Sequence, residues 1–260
     1  VSLETGQFRI MKKTIFSLAL FFWTSLQLFA QEREIIPLNE HFYPLSLGAG
    51  LHTYNNVKTL SKDGEVMEKI YTLENTPVEI RKTRYGSLDA PDQKSSQISK
   101  YSPTGELVSL ELVDSAIGVK VIQVMTPERL ILELTCLNDA CEGIFYPDGE
   151  ENGIEVDRDV LGPSPTSREI WQKFIMKELK YPLTARRLGE QGTVWVGLKI
   201  DQEGYLLDKA VMNPNEVHPS LTEEVLRIMD RYQGGFFPAQ DFSGSTIEAW
   251  LYLPVRFVLG

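Results

Sequence analysis

Two cysteines and three histidines are all this 260-residue chain holds of the side chains that most readily bind metals or act as thiol and imidazole catalysts. A structural zinc site needs four ligands, and a covalent catalyst needs a nucleophile with a base beside it. There is no Gly-rich phosphate loop, no G-x-S-x-G and no H-E-x-x-H anywhere in the chain. The carboxylates offer little more. Glu223 and Glu224 point to different sides of a helix, and Asp201 and Glu203 belong to a turn. His218, in NEVHPSLTEE, precedes a helix, where packing or capping is its expected part. The chain reads as a non-enzyme, with no cofactor and no metal.

Positive charge is also scarce where it would count. The net charge of −10 is uneven: residues 1–30 sum to +2, 31–160 to −11 and 161–260 to −1. No basic stripe survives in the acidic part, which argues against nucleic acid as a partner, and the split supports two modules. Long apolar runs are equally few. From Met11, MKKTIFSLALFFWTSLQLFAQ has two lysines, a mostly apolar run from Ile15, and Ala30 just before Gln31. These are the three parts of a secretory signal over residues 11–30, preceded by an upstream extension, residues 1–10. A membrane span needs about 20 apolar residues, and this run is interrupted by Ser17, Thr24, Ser25 and Gln27. The expectation is a cleaved signal and a soluble exported protein, with an uncleaved inner-membrane anchor as the alternative.

In an oxidising compartment Cys136 and Cys141, in TCLNDACEG, are expected to form a disulfide across a short turn. Around them, residues 31–160 show short β-rich runs broken by Gly turns, KDGEV, SPTGELV and YPDGEEN, with Gly64, Gly105 and Gly149. Gly between such runs is hairpin chemistry, so this region is read as an antiparallel β module. Asp148, Glu150, Asn152, Gly153 and Asp159 loosely approximate a calcium loop, and their other reading is an acidic solvated linker. Residues 161–165, with Pro163 and Pro165, form a stiff connection.

From 166 to 260 the pattern changes to helix, helix, strand, strand, helix, strand. Thr166 and Glu169 form a capping box, and Ile170, Trp171, Phe174, Ile175 and Leu179 give an apolar face. Gly189 ends a short second helix. Val194, Val196, Leu198 and Ile200 alternate as a strand, and DQEG turns it. The closing IEAWLYLPVRFVLG is the most regular pattern in the chain. Ile247, Ala249, Leu251, Leu253, Val255, Phe257 and Leu259 share one side of a period-2 segment. Pro254 has no N–H to give, which places that strand at an edge or a bulge.

Tyr181-Pro182, Ala185, Gly189, Gln191-Gly192, VWVGLKI, Asp201-Gln202-Glu203-Gly204, His218-Pro219-Ser220-Leu221, Pro238-Ala239 and the terminal W-x-x-x-P-V-x-F form one ordered set. Residues 166–260 in this respect resemble the C-terminal domain of TonB-family energy transducers. The glycine turns of the middle region resemble, over a few residues each, the Tyr-x-x-x-Gly hairpins of MORN-like repeats. The TonB resemblance implies an α+β fold: a three-stranded antiparallel sheet backed by helices, here following the β-rich module. It implies that an exposed strand, Thr246 to Val258, pairs with the TonB box of an outer-membrane TonB-dependent transporter. Lys180 and Tyr181 would border that strand, and Glu248, Trp250, Tyr252 and Arg256 would face the partner. Trp250, Tyr252 and Arg256 have a second reading, as cover for the sheet or as packing on the middle module. A full transducer also engages an inner-membrane motor, which only an uncleaved N-terminal segment would permit. No histidine stands in Ile15–Ala30, and no Pro-rich spacer follows it. The expected setting is the periplasm, with an inner-membrane-anchored form as alternative. The expected role is TonB-dependent transport, or else a periplasmic scaffold not coupled to energy transduction.

Overall fold

Five hairpin turns of one design set the β-structure of this protein, seen in a computed structural model that describes residues 33–45, 51–86, 93–138, 140–150 and 152–259. They start at Ser61, Thr72, Ser102, Asp201 and Asp241. In each, the first residue's N–H donates to the carbonyl four residues on, and its side-chain oxygen accepts the N–H of that same residue. The fourth position is left-handed and is filled by Gly64, Asn75, Gly105, Gly204 and Gly244. This is a three-residue loop closed by a bulge, and it demands Gly or Asn where φ is positive. Three of the five were legible as KDGEV, SPTGELV and DQEG. The YPDGEEN segment departs from the design: Gly149 is left-handed, but Asp148 N–H donates outward to the Phe242 carbonyl at 2.8 Å.

The turns fold the first part of the chain into one ten-stranded antiparallel meander in sequence order. Its strands are β1 (Arg33–Leu38), β2 (Tyr54–Leu60), β3 (Glu65–Thr72), β4 (Pro77–Tyr85), β5 (Lys94–Tyr101), β6 (Leu107–Asp114), β7 (Val119–Met125), β8 (Leu130–Leu137), β9 (Ala140–Phe145) and β10 (Ile154–Val156). Its core lies at one end. Ile122, Ile131, Leu132, Leu134, Cys136 and Phe145 are buried together with Val160, which follows β10.

The rest is α+β, as the sequence implied. Helix α1 (Arg168–Glu178) and the short α2 (Leu183–Leu188) lead into β12 (Gly192–Ile200) and β13 (Leu206–Val211). Helix α3 (Pro219–Met229) then returns the chain to β17 (Ala249–Phe257). The sheet order is β13-β12-β17, all antiparallel. Val194, Val196, Leu198 and Ile200 of β12 are buried against Leu221, Val225, Ile228 and Met229 of α3, with Trp171 of α1 and Val255 and Phe257 of β17. Short pairs complete it: β11 (Ser164–Pro165) with β14 (Phe236–Phe237), and β15 (Ala239–Gln240) with β16 (Thr246–Ile247). The stretch expected as a stiff connection thus also pairs as a strand.

Two local expectations need correction. Helix α1 is capped by Ser167, whose side chain accepts the Ile170 N–H, while Thr166 bonds the Gly235 carbonyl and Glu169 reaches Lys173. The cap therefore sits one residue later, because Thr166 is held by the β11–β14 pair. Ile170 accordingly turns to solvent instead of joining the apolar face. The closing alternation is also not one strand. Thr246–Ile247 pairs with Ala239–Gln240, and Glu248 lies between the two strands.

Residues 34–260 form one unit. Gln240 N–H donates to the Val160 carbonyl at 2.8 Å, and the Arg158 guanidinium lies 4.0 Å from the Phe237 ring centroid. Residues 1–32 lie outside the described part, and with them the signal-peptide expectation.

Candidate functional site

Strand β17 has only one neighbour among the described residues, and its register shows what its other side carries. The Met212 N–H donates to the Trp195 carbonyl at 2.8 Å, and the Trp195 N–H to Asn213 Oδ1 at 2.8 Å. Peptide groups alternate in direction along an antiparallel strand. With those of Trp195 turned to the β13 side, those of Val194, Val196 and Leu198 turn to β17, opposite Val255, Leu253 and Leu251. On β17 the intervening residues Trp250, Tyr252, Pro254 and Arg256 therefore direct their peptide groups to the open edge. Three of them present an N–H there. Pro254 presents none, which is where a proline does no harm to the sheet.

The side chains of these same residues occupy the face of the sheet away from the helices. Trp250 lies across Gly197, where a Cβ would stand 3.2 Å from the indole and 2.8 Å from Met212 Cε, so the indole packs closely on a backbone with no side chain between them. The β-rich module meets this face through the segment between β1 and β2. His41 Nδ1 is 2.9 Å from the Tyr252 hydroxyl, and its ring packs edge-on against Trp250 at 5.2 Å and Tyr252 at 5.8 Å. Tyr43 packs on Trp195 at 6.1 Å, and Phe42, with φ of 64°, stacks on Tyr54. Burial, with contributions from Tyr252 and Glu216 opposed by Arg81, pushes the Tyr43 hydroxyl up to about 12. Burial and then the Glu40 carboxylate raise the Tyr252 hydroxyl as well. Yet Tyr252 keeps 38% of its surface exposed.

The other expected positions flank the strand. Tyr181 packs edge-on against Phe257 at the end of β17, and its hydroxyl donates to the Glu190 carbonyl at 2.5 Å. The Lys180 N–H donates to Glu224 at 2.7 Å. Glu224 also takes two bonds from Arg227; burial works to raise its pKa, and these bonds outweigh it and hold the carboxyl below the usual range. Glu248 pairs with Lys199 at 2.7 Å, and Arg256 is exposed opposite Thr193. Glu40, His41 and Tyr43 were missed from sequence. The visible signal was the ring cluster His41-Phe42-Tyr43 ahead of Pro44 in a non-repetitive segment.

Elsewhere the structure supplies architecture. Cys136 and Cys141 are bonded, facing each other across the β8–β9 hairpin with Cα atoms 4.0 Å apart. His218 caps α3, its Nδ1 accepting the Ser220 N–H at 3.2 Å. In the acidic stretch Asp148 pairs with Arg129, and Asp159 accepts the Leu161 N–H. Among the described residues no group of three or more His, Cys, Asp or Glu could hold a metal ion. No helix among them is long and apolar enough to cross a membrane.

The family model described as Gram-negative bacterial TonB protein C-terminal matches residues 177–259. Residues 177–259 are a TonB C-terminal domain. No curated protein and no solved structure matches the chain. The domain begins within α1 and runs through β17, so the open edge lies inside the matched region. At the level of the family this supports a TonB-like protein of TonB-dependent transport, and domains of this family are envelope-associated.

Proposed function

We propose that this is an exported, periplasm-facing TonB-like protein that binds the TonB-box segment of an outer-membrane TonB-dependent transporter by strand addition to β17. One observation carries the reading: the register leaves the peptide groups of Trp250, Tyr252 and Arg256 on an edge with no neighbour among the described residues. An added strand gains main-chain hydrogen bonds there with little demand on its sequence, and side chains on either face select it. Tyr181, at the end of β17, and Lys180 before it would border the seat, and Trp250, Tyr252, Glu248 and Arg256 would line its outer side. A signal at 11–30 removed on export would leave the protein soluble in the periplasm. Retained, it would anchor the protein in the inner membrane within reach of a motor.

The test separates the peptide group from the side chain at one position. Arg256→Pro removes an outward N–H, while Arg256→Gln keeps it. Calorimetry with TonB-box peptides should show about fivefold weaker binding for Arg256→Pro than for Arg256→Gln, the worth of roughly one hydrogen bond. Equal affinities would mean that this edge is not the seat.

A second reading has its own support. The outer face of the TonB-like sheet is engaged by His41 and Tyr43 of the β-rich module, as expected of a scaffold whose domain is built into a larger body. Gene deletion distinguishes the two. Loss of growth on a substrate taken up through a TonB-dependent receptor belongs to transport alone.

A further inference from the structure

The open edge of β17 is bordered by charge from two different parts of the chain. Near its middle, the Tyr252 hydroxyl lies 2.9 Å from His41, whose Nε2 is 3.6 Å from the Glu40 carboxylate. Glu40 keeps 72% of its side chain exposed and comes from the β-rich module. Four residues further along, Arg256 stands exposed on the same face, with the neutral Thr193 as its cross-strand neighbour. At the start of the strand Glu248 is already matched by Lys199 at 2.7 Å, and Asp208 lies on β13, beyond β12 from the open edge. Along the edge from Tyr252 to Arg256 the charges offered to a partner are therefore a negative one at Glu40 and a positive one at Arg256. Residues four apart on a strand are separated by about 14 Å and point to the same side.

We propose that this edge is read jointly by both modules, and that it selects an extended partner segment carrying a basic and an acidic side chain four residues apart. The basic one sits beside Glu40 and the acidic one beside Arg256. The inference rests on the strand-addition reading above and names its partner's chemistry. A strand laid against β17 places one residue opposite Tyr252, with Cβ atoms about 5 Å apart and its side chain on the same face. A lysine or arginine at that place reaches Glu40. The residue four positions away then lies opposite Arg256, where a glutamate or aspartate is matched. Partner direction decides only which charge comes first. A segment with the charges exchanged meets like charge at both ends, which disfavours it by repulsion as well as by lost attraction.

The experiment uses the full chain and short extended peptides identical but for two positions four apart. These hold Lys and Glu, Glu and Lys, or Gln and Gln. Calorimetry at low salt should show one charged order binding about tenfold tighter than the neutral peptide, an advantage that shrinks as salt rises. Glu40→Gln should weaken the favoured peptide about threefold and leave a peptide with Gln in place of its Lys unchanged. Arg256→Gln should do the same for the Glu position. If the favoured and neutral peptides bind equally, or Glu40→Gln affects both alike, the charge reading is wrong while strand addition stands. If no peptide binds, the neutral one included, strand addition on this edge falls with it.

Discussion

The two sheets of this protein are stabilised in different ways. In the TonB-like domain one apolar core joins three helices and three strands, and Val194, Val196, Leu198 and Ile200 are all sealed in it. Across β2 to β6 the ten-stranded sheet buries only scattered positions, and several are polar: Asn56, Glu79 and Ser99, with Ile70 among them. Leu60, Leu107 and Leu112 of that sheet stay exposed. A sheet with little to cover its faces is held by its ladders and turns, each a local interaction. The small domain is held by side-chain packing across elements distant in sequence. Damage should therefore stay local in the first and spread in the second.

The sharpest test exchanges equivalent residues. Leu198→Ala removes a sealed side chain from the domain core and should cost about 2–5 kcal/mol in chemical unfolding. Leu112→Ala, on the open sheet, should cost less than about 1 kcal/mol. Similar losses would mean that the sheet has a hidden cover and that the contrast is false.

The shared turn gives the next comparison, because the same glycine has different surroundings. At Gly64, φ is 81° and a Cβ would meet nothing within 4 Å, so Gly64→Ala should cost about 1 kcal/mol for the left-handed backbone alone. At Gly204, φ is 89° and the Cβ would lie 2.2 Å from the Phe236 carbonyl, against which the turn packs. Gly204→Ala should cost roughly 3 kcal/mol, read from the midpoint of denaturation. Below it in size comes the staple of the thin sheet. Replacing both Cys136 and Cys141 by serine should cost about 2 kcal/mol by loop closure, and added reductant should reproduce it in the unsubstituted protein.

What the sequence disclosed follows from range. The turns at Gly64, Gly105 and Gly204, the left-handed stop at Gly189 and the alternation of β12 and β17 are set by neighbours in the chain, and all were legible. The TonB-like order of helices and strands was legible for the same reason. The break at Glu248 was not, since period-2 alternation continues through it, and only the pairing of Thr246–Ile247 with Ala239–Gln240 divides it. The cap of α1 was displaced by a contact to Gly235, far along the chain. For the candidate site, the outward set Trp250, Tyr252 and Arg256 was readable as a face. That their peptide groups, and not only their side chains, point to the open edge needed the register. That His41 and Tyr43 meet that face needed the tertiary fold, because nothing local to NEHFYPL announces a partner more than 150 residues away.

The smallest effect tests the contact between the two regions. Tyr43 bridges them, packing on Trp195 while Arg81 of β4 acts on its hydroxyl. Its folded pKa is raised from 10.0 to about 12, so folding favours the neutral phenol. For a group with a raised folded pKa, the contribution is complete below the unfolded value and is lost as pH rises through the folded one. The window is therefore pH 10 to about 12. After allowance for solvent screening around a half-buried ring, the loss should be about 1 kcal/mol. Tyr43→Phe has no proton to lose and should remove this part of the alkaline destabilisation, leaving that of the other tyrosines. Melting temperatures of both proteins across that window, with tyrosinate absorbance followed in parallel, give the comparison. Parallel curves for the two proteins would show that Tyr43 ionises as freely folded as unfolded, and that the modules meet more loosely at Trp195 than its packing indicates.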